Sequence, residues 1–97
     1  MVAIQTPLQT TIVTESTIFS HKDAEQITRY ASVQPVAKKV IIDLAKVESA
    51  STSAFARLIV FRRHLLKNGR DLRLANLSNQ ARALYEISRL DGVLPLV

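Results

Sequence analysis

The chain has 97 residues, 47% of them apolar and 22% charged, the composition of a globular protein rather than a disordered or fibrous one. That length supports one hydrophobic core, so residues 1–97 are read as a single domain. Cys 0 excludes disulfide frameworks, thiol nucleophiles and cysteine-held zinc, and Gly 2 with Pro 3 argues against a turn-rich β-sandwich.

No apolar run approaches the ~20 residues that span a bilayer, and no basic segment leads into an apolar stretch at the N-terminus. The expectation is a soluble, cytoplasmic protein without membrane insertion. The formal charge of +5 is uneven. Residues 1–50 balance five basic against five acidic side chains, while residues 51–97 set eight Arg or Lys against Asp71, Glu86 and Asp91. Such an asymmetry suits an acidic partner or a nucleic acid, but the preferred reading is an ordinary solvated helix face.

In chain order, the β-branched Thr10–Glu15 reads as a short edge strand. Ser20 then caps a helix start, with Asp23 three residues on to reach back. Ala24, Ile27, Tyr30 and Ala31 make one apolar stripe, and Val33-Gln34-Pro35 predicts a stop after about two turns. Lys39–Leu44 holds consecutive apolar residues. That suits a central strand covered on both faces, with helices on both sides of the sheet and parallel pairing through right-handed crossovers.

A hydroxyl-rich turn, Ser49–Ser53, leads into a helix from about Thr52 to Lys67, capped by Ser51 or Thr52. Ala54, Leu58, Phe61 and Leu65 form one stripe, and Phe55, Ile59 and Leu66 the adjacent one, which predicts a broad buried face. Arg62 falls inside that arc and is expected to lay its stem on apolar surface while its head escapes. Asn68-Gly69 stops the helix. Asp71–Ala75 alternates as a strand, and Ser78 caps a helix through Ala81, Leu84, Tyr85 and Ile87 that Asp91-Gly92 ends. In Val93–Val97, Pro95 lacks a donor, so the segment belongs at an edge or packs without pairing. The order is β-α-β-α-β-α, a layered α/β domain.

The residues for enzyme chemistry are missing. His21 and His64 stand on different helices among basic neighbours, and no H-x-x-x-H pair or carboxylate cluster offers a metal site. No nucleophile elbow exists, and two isolated glycines, Gly69 and Gly92, build neither a phosphate loop nor a dinucleotide turn. No catalytic residue, cofactor or metal is assigned. Arg62-Arg63-His64 is basic enough for nucleic acid, but Phe55 and Phe61 fall on the apolar face and only Tyr30 and Tyr85 remain for stacking. Nucleic acid is therefore not the expected partner.

The informative segment is the turn before the long helix. A strand's carboxyl end meeting a helix N-terminus is where open α/β sheets present function, and where free N–H groups stabilise an anion. A phosphate on Ser51, Thr52 or Ser53 would be tolerated there and would turn a neutral surface into a charged one. From this segment alone, plain helix capping by the same hydroxyls is the preferred reading.

Residues from about 10 to 97 resemble the STAS domain, the fold of bacterial anti-sigma factor antagonists and of sulphate-transporter tails. The pattern is an apolar strand ending in Asp-Leu, then Asp-Ser-Ser-Gly-Leu-Gly opening a long helix, a later glycine and a Leu-Asp. Val40-Ile-Ile-Asp-Leu44 matches the strand, Ser51-Thr-Ser-Ala-Phe-Ala56 occupies the signature, and Gly69 and Leu90-Asp91 fall at the later landmarks. Ser51 stands for the signature aspartate, and Ala54 and Ala56 for its glycines.

The resemblance implies a mixed, mostly parallel sheet packed with helices, acting by protein–protein binding. Thr52 takes the position that a partner kinase phosphorylates in the family, and phosphorylation there releases the partner. The implied docking residues are Ser51, Thr52, Ser53, Ala54 and, at the rim, Arg57. The resemblance leaves two family roles: an anti-sigma antagonist binding an anti-sigma or serine-kinase partner, or the STAS subunit of a bacterial lipid-trafficking ABC transporter, seated on the cytoplasmic ATPase.

Overall fold

The computed structural model describes residues 1–33 and 37–97. Its main sheet has four strands: β1 (Val2–Gln5), β2 (Gln9–Val13), β4 (Lys39–Asp43) and β6 (Asp71–Ala75), in that spatial order. β1 runs antiparallel to β2, while β2, β4 and β6 are mutually parallel. Two short strands, β3 (Ile18–Phe19) and β5 (Ser49–Ala50), pair in parallel outside this sheet. The helices are α1 (His21–Val33), α2 (Thr52–Lys67) and α3 (Asn79–Ile87), followed by a 3-10 turn at Leu90–Gly92. This is the α/β class expected, a mixed and mostly parallel sheet packed with helices.

The expected edge strand is in fact internal. Thr6-Pro7-Leu8-Gln9 closes a tight hairpin, with Thr6 and Gln9 exchanging both backbone bonds at 2.8 and 3.4 Å. Proline's fixed φ suits the second position of such a turn, and it adds β1 outside β2. The first four strand residues carry too little alternation for sequence to mark them.

Ser20 and Asp23 form the reciprocal cap. The Ser20 amide donates to Asp23 Oδ2 at 2.9 Å, and the Asp23 amide donates to Ser20 Oγ at 3.3 Å. α1 has 13 residues, longer than the two turns expected. Thr28 fits its buried face by donating its hydroxyl to the Ala24 carbonyl at 2.8 Å. Gln34 and Pro35, expected to end this helix, lie outside the described residues.

α2 ends in a Schellman motif. The Arg70 amide donates to Leu65 O at 2.9 Å, the Gly69 amide to Leu66 O at 3.2 Å, and Gly69 takes φ +71. Its first stripe, Ala54, Leu58, Phe61 and Leu65, is buried as expected. The second stripe is not: Phe55 is buried, but Ile59 is only partly so and Leu66 is exposed. The buried face is one stripe plus Phe55. Arg62 also departs from expectation, because its head is held by partners on the protein rather than left free in solvent. Nε donates to Asp71 Oδ1 at 2.8 Å, tying α2 to the first residue of β6.

One face of the sheet carries the core. Ile12, Val40, Ile42, Leu72 and Leu74 are buried in one cluster with Ile27, Phe61 and Tyr85 from the three helices. The other face presents Thr11, Ile41 and Asp43, which line an open groove of about 520 Å³ with Asn76 and Arg82. The expectation of helices on both sides is therefore corrected. Ile41 is buried on the open face, between Thr11 and Arg73 in the ladder, which is why the strand reads as covered on both sides. α3 ends earlier than expected, at Ile87, and Arg89 turns left-handed (φ 52) ahead of the 3-10 turn. The terminal segment lies along β6, with the Leu74 amide donating to Pro95 O at 3.0 Å and the Val97 amide to Leu74 O at 2.9 Å.

Candidate functional site

The site is built where the carboxyl end of β4 feeds α2. Asp43 closes the strand and shapes the turn after it. Its Oδ1 accepts the Ala45 amide at 2.9 Å, redirecting the chain, and its Oδ2 accepts Asn76 Nδ2 at 2.8 Å from the end of β6. Its carbonyl accepts both the amide and the hydroxyl of Thr14, each at 3.2 Å. One residue thus holds the ends of three parallel strands together. Asn76 itself is left-handed (φ 54), a conformation asparagine tolerates better than most residues.

From that anchor the chain reaches Val47, fully buried, whose carbonyl accepts the Ser78 hydroxyl. Ser78 Oγ also accepts the Ala81 amide at 3.1 Å, so one hydroxyl caps α3 and clamps the turn. Ser49 and Ala50 then pair with Ile18 and Phe19, and the Ser51 amide donates to Phe19 O at 3.0 Å.

Ser51 is the N-cap of α2. It sits in extended conformation (φ −83, ψ 150), and its Oγ accepts the Ala54 amide at 3.1 Å. Ser51 Oγ also lies 3.1 Å from Ser53 Oγ. Of the two capping alternatives in the sequence, Ser51 caps and Thr52 opens the helix. Thr52 and Ser53 are both exposed. With Ser51 and Ser53 sharing a hydrogen bond, Thr52 presents the hydroxyl least engaged by neighbours.

Ala54 and Arg57 fall differently. Ala54 is fully buried in the core, so its side chain offers no contact surface, whereas Ala56 is exposed. Arg57 is half-buried one turn along the helix. The structure therefore brings Ser51, Thr52 and Ser53 to one exposed corner with Arg57 behind them, and turns Ala54 inward. Sequence reasoning missed Ile18, which is 63% exposed and paired with Ser49 at this corner. A two-residue strand gives no periodic signal, so only the apolar Ile18-Phe19 before the Ser20 cap could have marked it.

Among the described residues no three His, Cys, Asp or Glu side chains gather where they could hold a metal. His21 pairs with Glu25 on the surface of α1 at 3.0 Å, and His64 is exposed on α2. Among the described residues, no helix is long and apolar enough to cross a membrane.

A mixed sheet with its helical core on one face, and a hydroxyl-rich turn feeding the long helix, defines a STAS-type domain. The family model described as "Mlab, STAS domain" matches residues 2–97, and the chain belongs to that family. Among solved structures it is similar to the protein TM1081, determined by NMR, with a TM-score of 0.79 at 10% identity. That similarity covers 98% of this chain and 78% of the other, and establishes the fold. No curated protein matches the sequence.

Proposed function

We propose that this domain is a non-enzymatic, cytoplasmic protein-binding module that docks its partner on the exposed start of α2. The observation that carries the reading is the exposure of Thr52 and Ser53 on a helix start whose backbone is fixed by the Ser51 cap and by the bond from the Ser51 amide to Phe19 O. Such a corner presents hydroxyls at a constant position at little entropic cost to the partner. Ile18 adds an apolar contact, and Arg57 a cation at the rim.

The partner is of the anti-sigma or serine-kinase type, and Thr52 is the switch. A phosphoryl group on Thr52 adds close to two negative charges. The helix N-terminus stabilises that charge within the domain, so the fold survives. An interface fitted to a neutral hydroxyl does not, because the phosphate must be desolvated or repelled.

A second reading is favoured by the name of the matched family model, Mlab. In it the chain is the STAS subunit of a lipid-trafficking ABC transporter and the same corner rests on the cytoplasmic ATPase. The two are separated by affinity capture from native lysate with wild type and Thr52→Glu, read by mass spectrometry. A kinase or sigma regulator held by wild type and lost with Thr52→Glu supports the switch. An ABC ATPase held by both supports the transporter subunit, and nucleic acid released by salt contradicts both.

A further inference from the structure

The outer edge of β1 carries a feature that the α2 corner does not use. β1 is the last strand on its side of the sheet, and among the described residues no strand pairs with its free edge. Thr6 and Gln9 exchange both backbone bonds. In the observed register, antiparallel alternation then gives Ile4 opposite Thr11 and Val2 opposite Val13 as the hydrogen-bonded pairs. The amides and carbonyls of Ala3 and Gln5 consequently point outward from the sheet.

Natural sheets blunt such edges with charge, proline or a bulge. Here residues 1–14 contain no charged side chain, and the only proline, Pro7, lies beyond the strand. Met1, Val2, Ile4 and Leu8 are 48%, 46%, 58% and 76% exposed. The amine of Met1 lies 3.8 Å from the Glu15 carboxylate of its own chain.

We propose that this edge pairs with the same edge of a second copy, antiparallel about a two-fold axis through Ile4. Ala3 and Gln5 lie equally far on either side of Ile4, so the outward groups of one copy meet complementary groups of the other. Ala3 of each copy opposes Gln5 of the other and exchanges both bonds, which makes four new backbone hydrogen bonds and one continuous sheet of eight strands. The two Ile4 side chains meet on the axis. The charge distribution permits this occupant. Each chain carries +5, all of it in residues 51–97, and this uncharged seam lets two copies meet without opposing like side chains. One strand pair buries less than the ~1,000 Å² of a stable interface, so the dimer is weak.

Sedimentation equilibrium on the full chain, from about 10 μM to about 1 mM, covers the range of such weak contacts. The proposal expects reversible dimerisation that Ile4→Val preserves. Ile4→Lys, which places two ammonium groups on the axis, weakens it at least about tenfold at low salt. Ala3→Pro weakens it too by removing an outward donor that β2 does not use. Unchanged thermal unfolding of Ile4→Lys shows that the fold is intact, as expected for an exposed side chain. A chain that stays monomeric throughout, or a dimer unmoved by both Ile4→Lys and Ala3→Pro, overturns the proposal.

Discussion

The ring of Phe55, in the first turn of α2, packs on that of Phe19, at the end of β3, with centroids 6.2 Å apart and planes tilted by 54°. Both rings are buried, and the Phe19 carbonyl accepts the Ser51 amide one residue before the helix. The exposed hydroxyls thus ride on an aromatic pair that fixes where the helix begins. Tilted pairs of this kind are worth about 0.5–1.5 kcal/mol beyond the area they bury. Phe55→Leu keeps an apolar side chain and loses the ring contact. It should lower stability by about 1 kcal/mol in urea unfolding, with an unchanged m-value.

Two serines cap two helices, and they are not equivalent. Ser51→Ala removes a cap at an exposed corner and should cost about 1 kcal/mol. Ser78→Ala removes a cap and also leaves the Val47 carbonyl without its donor, so the loss should be larger, about 2 kcal/mol. Chemical denaturation of both variants checks the order. Equal losses would mean that the Ser78–Val47 link contributes nothing.

The Arg62–Asp71 pair sets an acid limit on stability. Burial pushes the Asp71 carboxyl up, but the hydrogen bond from Arg62, the Leu72 amide, the charge of Arg62 and the hydrogen bond from Arg73 outweigh it, leaving the group below its ordinary value. A carboxylate held lower in the folded state than in the unfolded chain stabilises fully above the unfolded value. That stability is lost as the pH falls through the folded value, so the loss falls below about pH 4. Wild type should lose melting temperature there more steeply than Asp71→Asn, whose profile is flatter and starts lower. At neutral pH the variant should be less stable by about 2 kcal/mol, the scale of hydrogen bonds to a charged group.

Much of this architecture is legible in the residues because local chemistry and packing agree. The Ser20–Asp23 cap, the Ser51 and Ser78 caps and the Gly69 stop each leave a mark that the fold uses unchanged. What sequence misses depends on distance along the chain. Ile41 reads like a core residue although it lies on the open face, because burial between ladder neighbours leaves the same apolar mark as burial under a helix. Arg62 reads as a snorkelling side chain because Asp71, its partner, stands nine residues away beyond a turn. β1, β3 and β5 are too short to show a period. At the candidate site the hydroxyl corner is visible in the chain, but the inward turn of Ala54 and the outward turn of Ile18 are set by tertiary packing.

The central claim is that a partner docks on the start of α2, and calorimetric titration of the captured partner tests it most directly. Six proteins are compared: wild type, Thr52→Ala, Thr52→Glu, Ile18→Ser, Arg57→Ala, and Ser32→Glu as a charge control at the far end of α1. The regulator account predicts wild-type affinity for Thr52→Ala and Ser32→Glu, and a loss of at least about tenfold, ~1.4 kcal/mol, for Thr52→Glu. Equal affinity for Thr52→Glu and wild type would remove Thr52 as the switch. If Thr52→Glu, Ile18→Ser and Arg57→Ala all bind as wild type does, the docking surface lies elsewhere on the domain.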